Sequence, residues 1–140
     1  MINLSQLLIP LLWAGMTAGI SFIEAPLKFR APGITIPLGL GIGRLVFRAL
    51  NKVEWIFYSL WTVPWFITQH TIPFIPLLIG MILLLQTFWW LPHLDKRASL
   101  IRQGQTPQGR SLHIYYASAE VLKFFLLVAY GCIYTLNHKI

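Results

Sequence analysis

Ile72-Pro-Phe-Ile-Pro-Leu-Leu-Ile-Gly-Met-Ile-Leu-Leu-Leu-Gln-Thr-Phe-Trp-Trp-Leu91 contains no charged residue, and Gln86 is its one strongly polar member. A helix that crosses a bilayer needs about 20 mainly apolar residues. This stretch supplies them. Backbone amides and carbonyls in lipid must be bonded within the segment, so the run reads as a helix. It lacks the strict alternation that a membrane β-barrel strand requires.

Three further runs share this character. Leu7 to Ile23 is broken only by Thr17 and Ser21 among polar types. Leu45-Val-Phe leads into Trp55 to Ile67. Val121 to Leu136 extends back through the mixed stretch His113 to Glu120. The composition agrees: 56% of the 140 residues are hydrophobic and only 11% are charged. Soluble domains carry roughly 25% charged residues. A chain so poor in charge cannot coat a water-soluble globule. That excludes an ordinary cytosolic enzyme, a disordered chain and a conventional nucleic-acid-binding domain. The expected fold is all-α: one integral membrane domain over 1–140, built as a four-transmembrane-helix bundle.

The net charge of +7 is then a topology signal before it is a binding signal. Lys28, Arg30, Arg44, Arg48 and Lys52 fall in loop 27–52. Lys96, Arg97, Arg102 and Arg110 fall in loop 94–112. The turn near Gln69 and His70 has no Lys or Arg, and the C-terminal flank has Lys139. With four spans, the two basic loops share a side. The positive-inside rule puts both in the cytoplasm and both termini outside, as in a cell inner membrane. No cleavable signal peptide is read at the N-terminus. The first basic loop also holds an amphipathic stretch, 37–52, with Arg44 and Arg48 one turn apart. We expect it to be an interfacial helix, opened by Pro37 and leading into the second span. Thr71 and Ser111 are expected caps for the third and fourth helices. Gly15 and Gly19, with Ala14 and Ala18, form a small-residue face expected to pack closely inside the bundle. Trp13 and Trp61 lie deep enough to pack inside, whereas Trp55, Trp65, Trp89 and Trp90 read as interfacial belt residues. Cys132 is read as a small packing residue.

The two halves resemble each other. Glu24-Ala-Pro26 and Leu91-Pro92 each end an outgoing helix before a basic patch. Glu54 and Glu120 each sit in the cytoplasmic half of a returning helix. The two hairpins therefore read as parallel repeats about an axis along the membrane normal.

All four acids, Glu24, Glu54, Asp95 and Glu120, lie near the cytoplasmic ends of spans. On the fourth helix, His113, Tyr116, Glu120 and Lys123 recur at spacings of three, four and three, which places them on one stripe. Charge inside a span costs several kcal/mol and normally faces other helices. Glu120 and Lys123 are expected to face inward as a pair, with Glu24, Glu54 and Gln86 as candidate partners. On that reading, removing Glu120 alone destabilises more than removing both. The candidate ligand-binding set is Glu24, Glu54, His113, Tyr116, Glu120 and Lys123. No metal set is read: His113 and Glu120 are about 10 Å apart in helix rise, too far to share one ion. No haem pair is read within the spans, since His93 and His113 both lie near the cytoplasmic interface, and no nucleophile–base arrangement is found. The sequence assigns neither a cofactor nor a catalytic residue.

The layout resembles small four-span membrane families of largely unknown function, among them the anthrone-oxygenase-like proteins. The resemblance rests on Trp13-Ala-Gly-Met-Thr-Ala-Gly19, Pro26-Leu-Lys-Phe, the amphipathic lead-in to the second helix, and Pro92 closing the third. The functional expectation is a binding, transport or accessory component with a polar pocket on the cytoplasmic side. The alternative is a small oxidoreductase-like membrane enzyme acting on a lipophilic quinone or aromatic compound, with His113, Tyr116 and Glu120 as acid–base groups. The expected partners are the lipid bilayer and a second copy or other subunits of a membrane complex, not nucleic acid.

Overall fold

The computed structural model describes residues 3–69, 73–106 and 112–137. They form four long helices: α1 (Leu4–Lys28), α2 (Ile36–Gln69), α3 (Phe74–Arg102) and α4 (Leu112–Asn137). No strand occurs among the described residues. The expected caps Thr71 and Ser111 lie outside them.

Helices α1, α3 and α4 are long and apolar enough to cross a membrane. Helix α2 falls short of that apolarity, because Arg48, Asn51, Lys52 and Glu54 stand among its apolar residues. The stretch 37–52 is helical as expected, and it is continuous with the following run as one helix of 34 residues. Between α1 and α2 the chain reverses through Gly33, whose φ of 79° is a left-handed conformation that glycine adopts without steric cost.

All four helices contribute to one core. Trp13 and Ala14 of α1 meet Trp61 of α2, Ile79 and Leu83 of α3, and Leu127, Tyr130 and Tyr134 of α4. Trp13 and Trp61 are buried edge to face, as their depth in the runs predicted. A second cluster lies toward the basic loops: Phe47 and Leu50 of α2, Leu91 and Leu94 of α3, and Tyr116 of α4. Helix α1 packs mainly on α4 and α2, while α3 packs on α2 and α4.

Both outgoing helices widen into a π-helical stretch, Gly19–Glu24 in α1 and Gln86–Trp90 in α3. Each stretch ends just before a proline, Pro26 or Pro92. A proline inside a helix has no N–H to donate, and its ring clashes with the carbonyl four residues back. Widening relieves this. The amide of Ala25 bonds Ile20 O, and that of Leu91 bonds Gln86 O, each five residues back.

The paired widening is part of a repeat that runs through both halves of the chain at one constant spacing. Ile9-Pro-Leu-Leu12 recurs as Ile75-Pro-Leu-Leu78. Phe22 and Phe88, Pro26 and Pro92, and Glu54 and Glu120 are all separated by the same 66 positions.

The small-residue face of α1 packs only in part: Ala14 joins the core as expected, but the glycines do not. A Cβ added at Gly15 or Gly19 would meet nothing within 4 Å. These residues face outward, because α1 instead turns Trp13, Ala14 and Thr17 to the core. The glycines that admit neighbours are elsewhere. A Cβ at Gly80 of α3 would lie 2.3 Å from the Tyr58 hydroxyl, and one at Gly39 of α2 would lie 2.4 Å from the Phe29 ring. Cys132 is exposed rather than packed.

Candidate functional site

The stripe on α4 does turn inward. Glu120 and Lys123 are fully buried, and so is Glu54 on α2. Lys123 Nζ lies 2.5 Å from Glu54 Oε1 and 2.9 Å from Glu120 Oε1. The ammonium is therefore shared by two carboxylates, one from each half of the chain. Two neutral donors complete the centre. The Trp13 indole N–H donates to Glu54 Oε1 at 3.0 Å, and the Gln86 amide donates to Glu120 Oε1 at 2.7 Å. The π-helical turn that begins at Gln86 belongs to the same place, and such turns recur at functional positions.

The bonding is incomplete in a particular way. Oε1 of each glutamate takes two bonds, and Oε2 of each is buried with no partner. Gln86 Oε1 is likewise unpartnered. Buried polar atoms are nearly always bonded, and an unpaired one costs roughly 1–3 kcal/mol. With both carboxyls ionised, the trio would carry one net negative charge away from water.

The remaining members of the candidate set lie nearer the basic loops. Tyr116 is buried, stacks on Phe47 at 4.4 Å between ring centroids, and donates to the Phe47 carbonyl at 3.4 Å. Its hydroxyl also lies beside Asn51 and feels the charges of Glu120 and Glu54. His113 packs on the same Phe47 ring at 4.7 Å. It borders Gly43, where an added Cβ would come within 2.8 Å of the imidazole and 3.0 Å of Lys28 Nζ. Glu24 pairs with Lys28 at 3.3 Å, one turn further along α1, and not with Lys123. Phe47 thus packs on both Tyr116 and His113, while Glu24, Lys28 and His113 form a cluster apart from the Glu54–Lys123–Glu120 ion pairs.

This geometry reverses the order of two variants. Once Glu120 is removed, Lys123 still has Glu54. Removing both Glu120 and Lys123 instead leaves Glu54 buried without a cation. The single change is therefore the milder one.

A cavity of about 310 Å³ opens between α2 and α3, with Arg48, Lys52 and Asp95 near its mouth. Asn51 and Thr87 form its inner polar wall. Thr87 Oγ1 lies 3.0 Å from Asn51 Oδ1 and accepts the Trp55 indole N–H at 2.9 Å. Asn51 Nδ2 is buried with no partner. Asn51 therefore borders both the cavity and the Tyr116 hydroxyl. Toward the other end of the helices, Trp13, Trp61, Ile79, Leu83 and Leu127 form a dry layer. Beyond it, Gln6 donates to the Trp61 carbonyl at 3.2 Å and accepts from the Tyr130 hydroxyl at 3.4 Å.

Sequence reasoning missed Asn51, Thr87 and the donor role of Trp13. The pairing of Glu54 with Glu120 as repeat counterparts was already legible in the sequence. No protein family, curated protein or solved structure matches the chain.

Proposed function

We propose that the protein is a four-span inner-membrane protein whose Glu54–Lys123–Glu120 centre binds and releases one proton. It would act as a binding, transport or accessory component, as a homo-oligomer or as a subunit of a membrane complex. The observation that carries the reading is the pair of carboxylates on one ammonium, each with an unpartnered buried oxygen. A proton on either carboxyl restores neutrality and gives an orphaned oxygen a hydrogen to share. Because the two glutamates are tied through one ammonium, that proton belongs to the pair. It would enter by the cavity at Asn51 and Thr87 and pass by Tyr116, on the side of the basic loops. We place that side in the cytoplasm and both termini outside, from the distribution of basic residues.

Four spans are supported by the ion pairs at the loop ends. Asp95, late in α3, is bonded by Arg44 at 3.4 Å and by Arg48, both early in α2. These two regions meet on one side only if α2 crosses between them. The acid–base enzyme reading gains no support from the placement of His113, which packs on Phe47 near Lys28 and shares no hydrogen bond or ion pair with Glu120.

Infrared difference spectroscopy tests the proton reading. The purified protein, stepped between acidic and alkaline buffer, should show the carbonyl band of a protonated carboxyl that disappears at high pH. Glu54→Gln or Glu120→Gln should remove that band. A spectrum with no pH-responsive carboxyl would leave the centre a fixed structural network and overturn the proposal.

A further inference from the structure

A second cavity, of about 490 Å³, lies between the first turns of α2 and the last turns of α3. Its volume falls within the range of ligand sites, roughly 300–1,000 Å³. Leu38, Gly41, Ile42 and Leu45 line it from α2, and Ala98 and Ile101 from α3. Leu38 and Leu45 are more than half exposed, so the apolar wall continues onto the outer surface of the protein. Two cations border this apolar space, Arg44 and Arg102.

The charges there are unbalanced. Asp95 is the acid that answers Arg44, and it is shared with Arg48. Arg44 Nε is buried and bonds nothing. Arg102 has no ion pair among the described residues and is exposed. The level is that of the basic loops, where a bilayer presents its headgroups. An occupant matched to this place has an apolar tail and an anionic head, and it reaches the cavity sideways from the membrane.

We propose that this cavity binds one anionic phospholipid. An acyl chain lies along Leu38, Ile42, Leu45 and Ile101, and the phosphate sits between Arg44 and Arg102. Guanidinium groups favour this head because they match phosphate oxygens with paired donors.

The test uses the full chain in nanodiscs of equimolar phosphatidylglycerol and phosphatidylcholine with identical acyl chains. Retained lipid is counted by native mass spectrometry after release from the disc. One phosphatidylglycerol per chain should be retained, in roughly tenfold preference over phosphatidylcholine. The double variant Arg44→Gln with Arg102→Gln should lose the preference, while Arg48 still holds Asp95. Gly41→Leu supplies the independent check. A Cβ at Gly41 meets nothing within 4 Å, and leucine is a better helix former than glycine, so this variant should fold. Its side chain projects into the cavity where the acyl chain lies, and retention of the lipid should fall. Equal retention of the two lipids, or undiminished retention by Gly41→Leu, would overturn the proposal.

Discussion

Among the described residues, Lys123 is the one Lys or Arg buried inside the helical core. In the 66-residue register its counterpart is Phe57, which stacks on Trp13. One half of the molecule thus puts a ring beside Glu54, and the other puts an ammonium beside Glu120. Without Lys123, the two repeat-related glutamates would face each other undischarged. Lys123→Met should therefore lose about 3–5 kcal/mol of stability, the cost of stranding a buried charge. Glu120→Gln leaves Lys123 paired with Glu54 and should cost no more than about 1.5 kcal/mol. Adding Glu54→Gln and Glu120→Gln to Lys123→Met should return most of the loss. Thermal unfolding in detergent, followed by circular dichroism, would rank the four proteins. A Lys123→Met protein as stable as the parent would refute the shared-ammonium account. The inward stripe was legible because helical spacing and the cost of charge in lipid both pointed the same way. The donor role of Trp13 was not, since a deep tryptophan in an apolar run reads first as packing. His113 was grouped with the centre by its place on the stripe and Glu24 by membrane level, and neither signal reveals that the two would instead gather around Lys28.

The helices themselves were largely readable from apolar runs, and Arg44 and Arg48 marked the amphipathic first half of α2. Two features were not. The π-helical stretches depend on where a proline falls inside a continuous helix, and a sequence pattern places Pro26 and Pro92 equally well at helix ends. The packing of glycines depends on which face turns inward, and Gly15 and Gly19 belong to a face that does not. This distinction gives a pair of opposite expectations. Gly15→Ala adds a methyl group to open space in a helix and should stabilise by up to about 1 kcal/mol. Gly80→Ala makes the same intrinsic gain but drives a methyl group against the Tyr58 hydroxyl. Overpacking of this kind costs about 1–3 kcal/mol, so the net effect should be a loss. Tyr58→Leu should recover it, because it removes the crowding atoms. Chemical unfolding of the variants in one detergent would decide the signs. A stabilising Gly80→Ala would mean that α2 and α3 are not held at the spacing described.

The course of the whole chain through the membrane turns on α2, the long helix with the weakest apolar signal. Its Trp61 lies in the same core as Trp13, Ile79 and Leu127, each from a helix apolar enough to cross a bilayer. Its first turns reach Asp95 through Arg44 and Arg48. Joining the core at one end and the basic loops at the other, α2 runs alongside α1 and α3. Its length of about 50 Å, at 1.5 Å per residue, exceeds the roughly 30 Å hydrocarbon layer and leaves several turns at the interface. If α2 instead lay along the surface, the turn after it and the loop after α1 would share a side, and loop 94–112 would fall on the opposite one. The two arrangements differ at two exposed positions, Thr68 and Gln103. In a Cys132→Ser background, single cysteines at these positions should be modified from opposite faces by a reagent that cannot cross the membrane. Gln103→Cys should react only after the cytoplasmic face is opened, and Thr68→Cys should react in intact cells. Four of the ten loop and flank basic residues lie in 94–112, so the surface arrangement would expose them outside against the positive-inside bias. Labelling of Gln103→Cys in intact cells, with Thr68→Cys protected, would establish that arrangement and remove α2 from the count of spans.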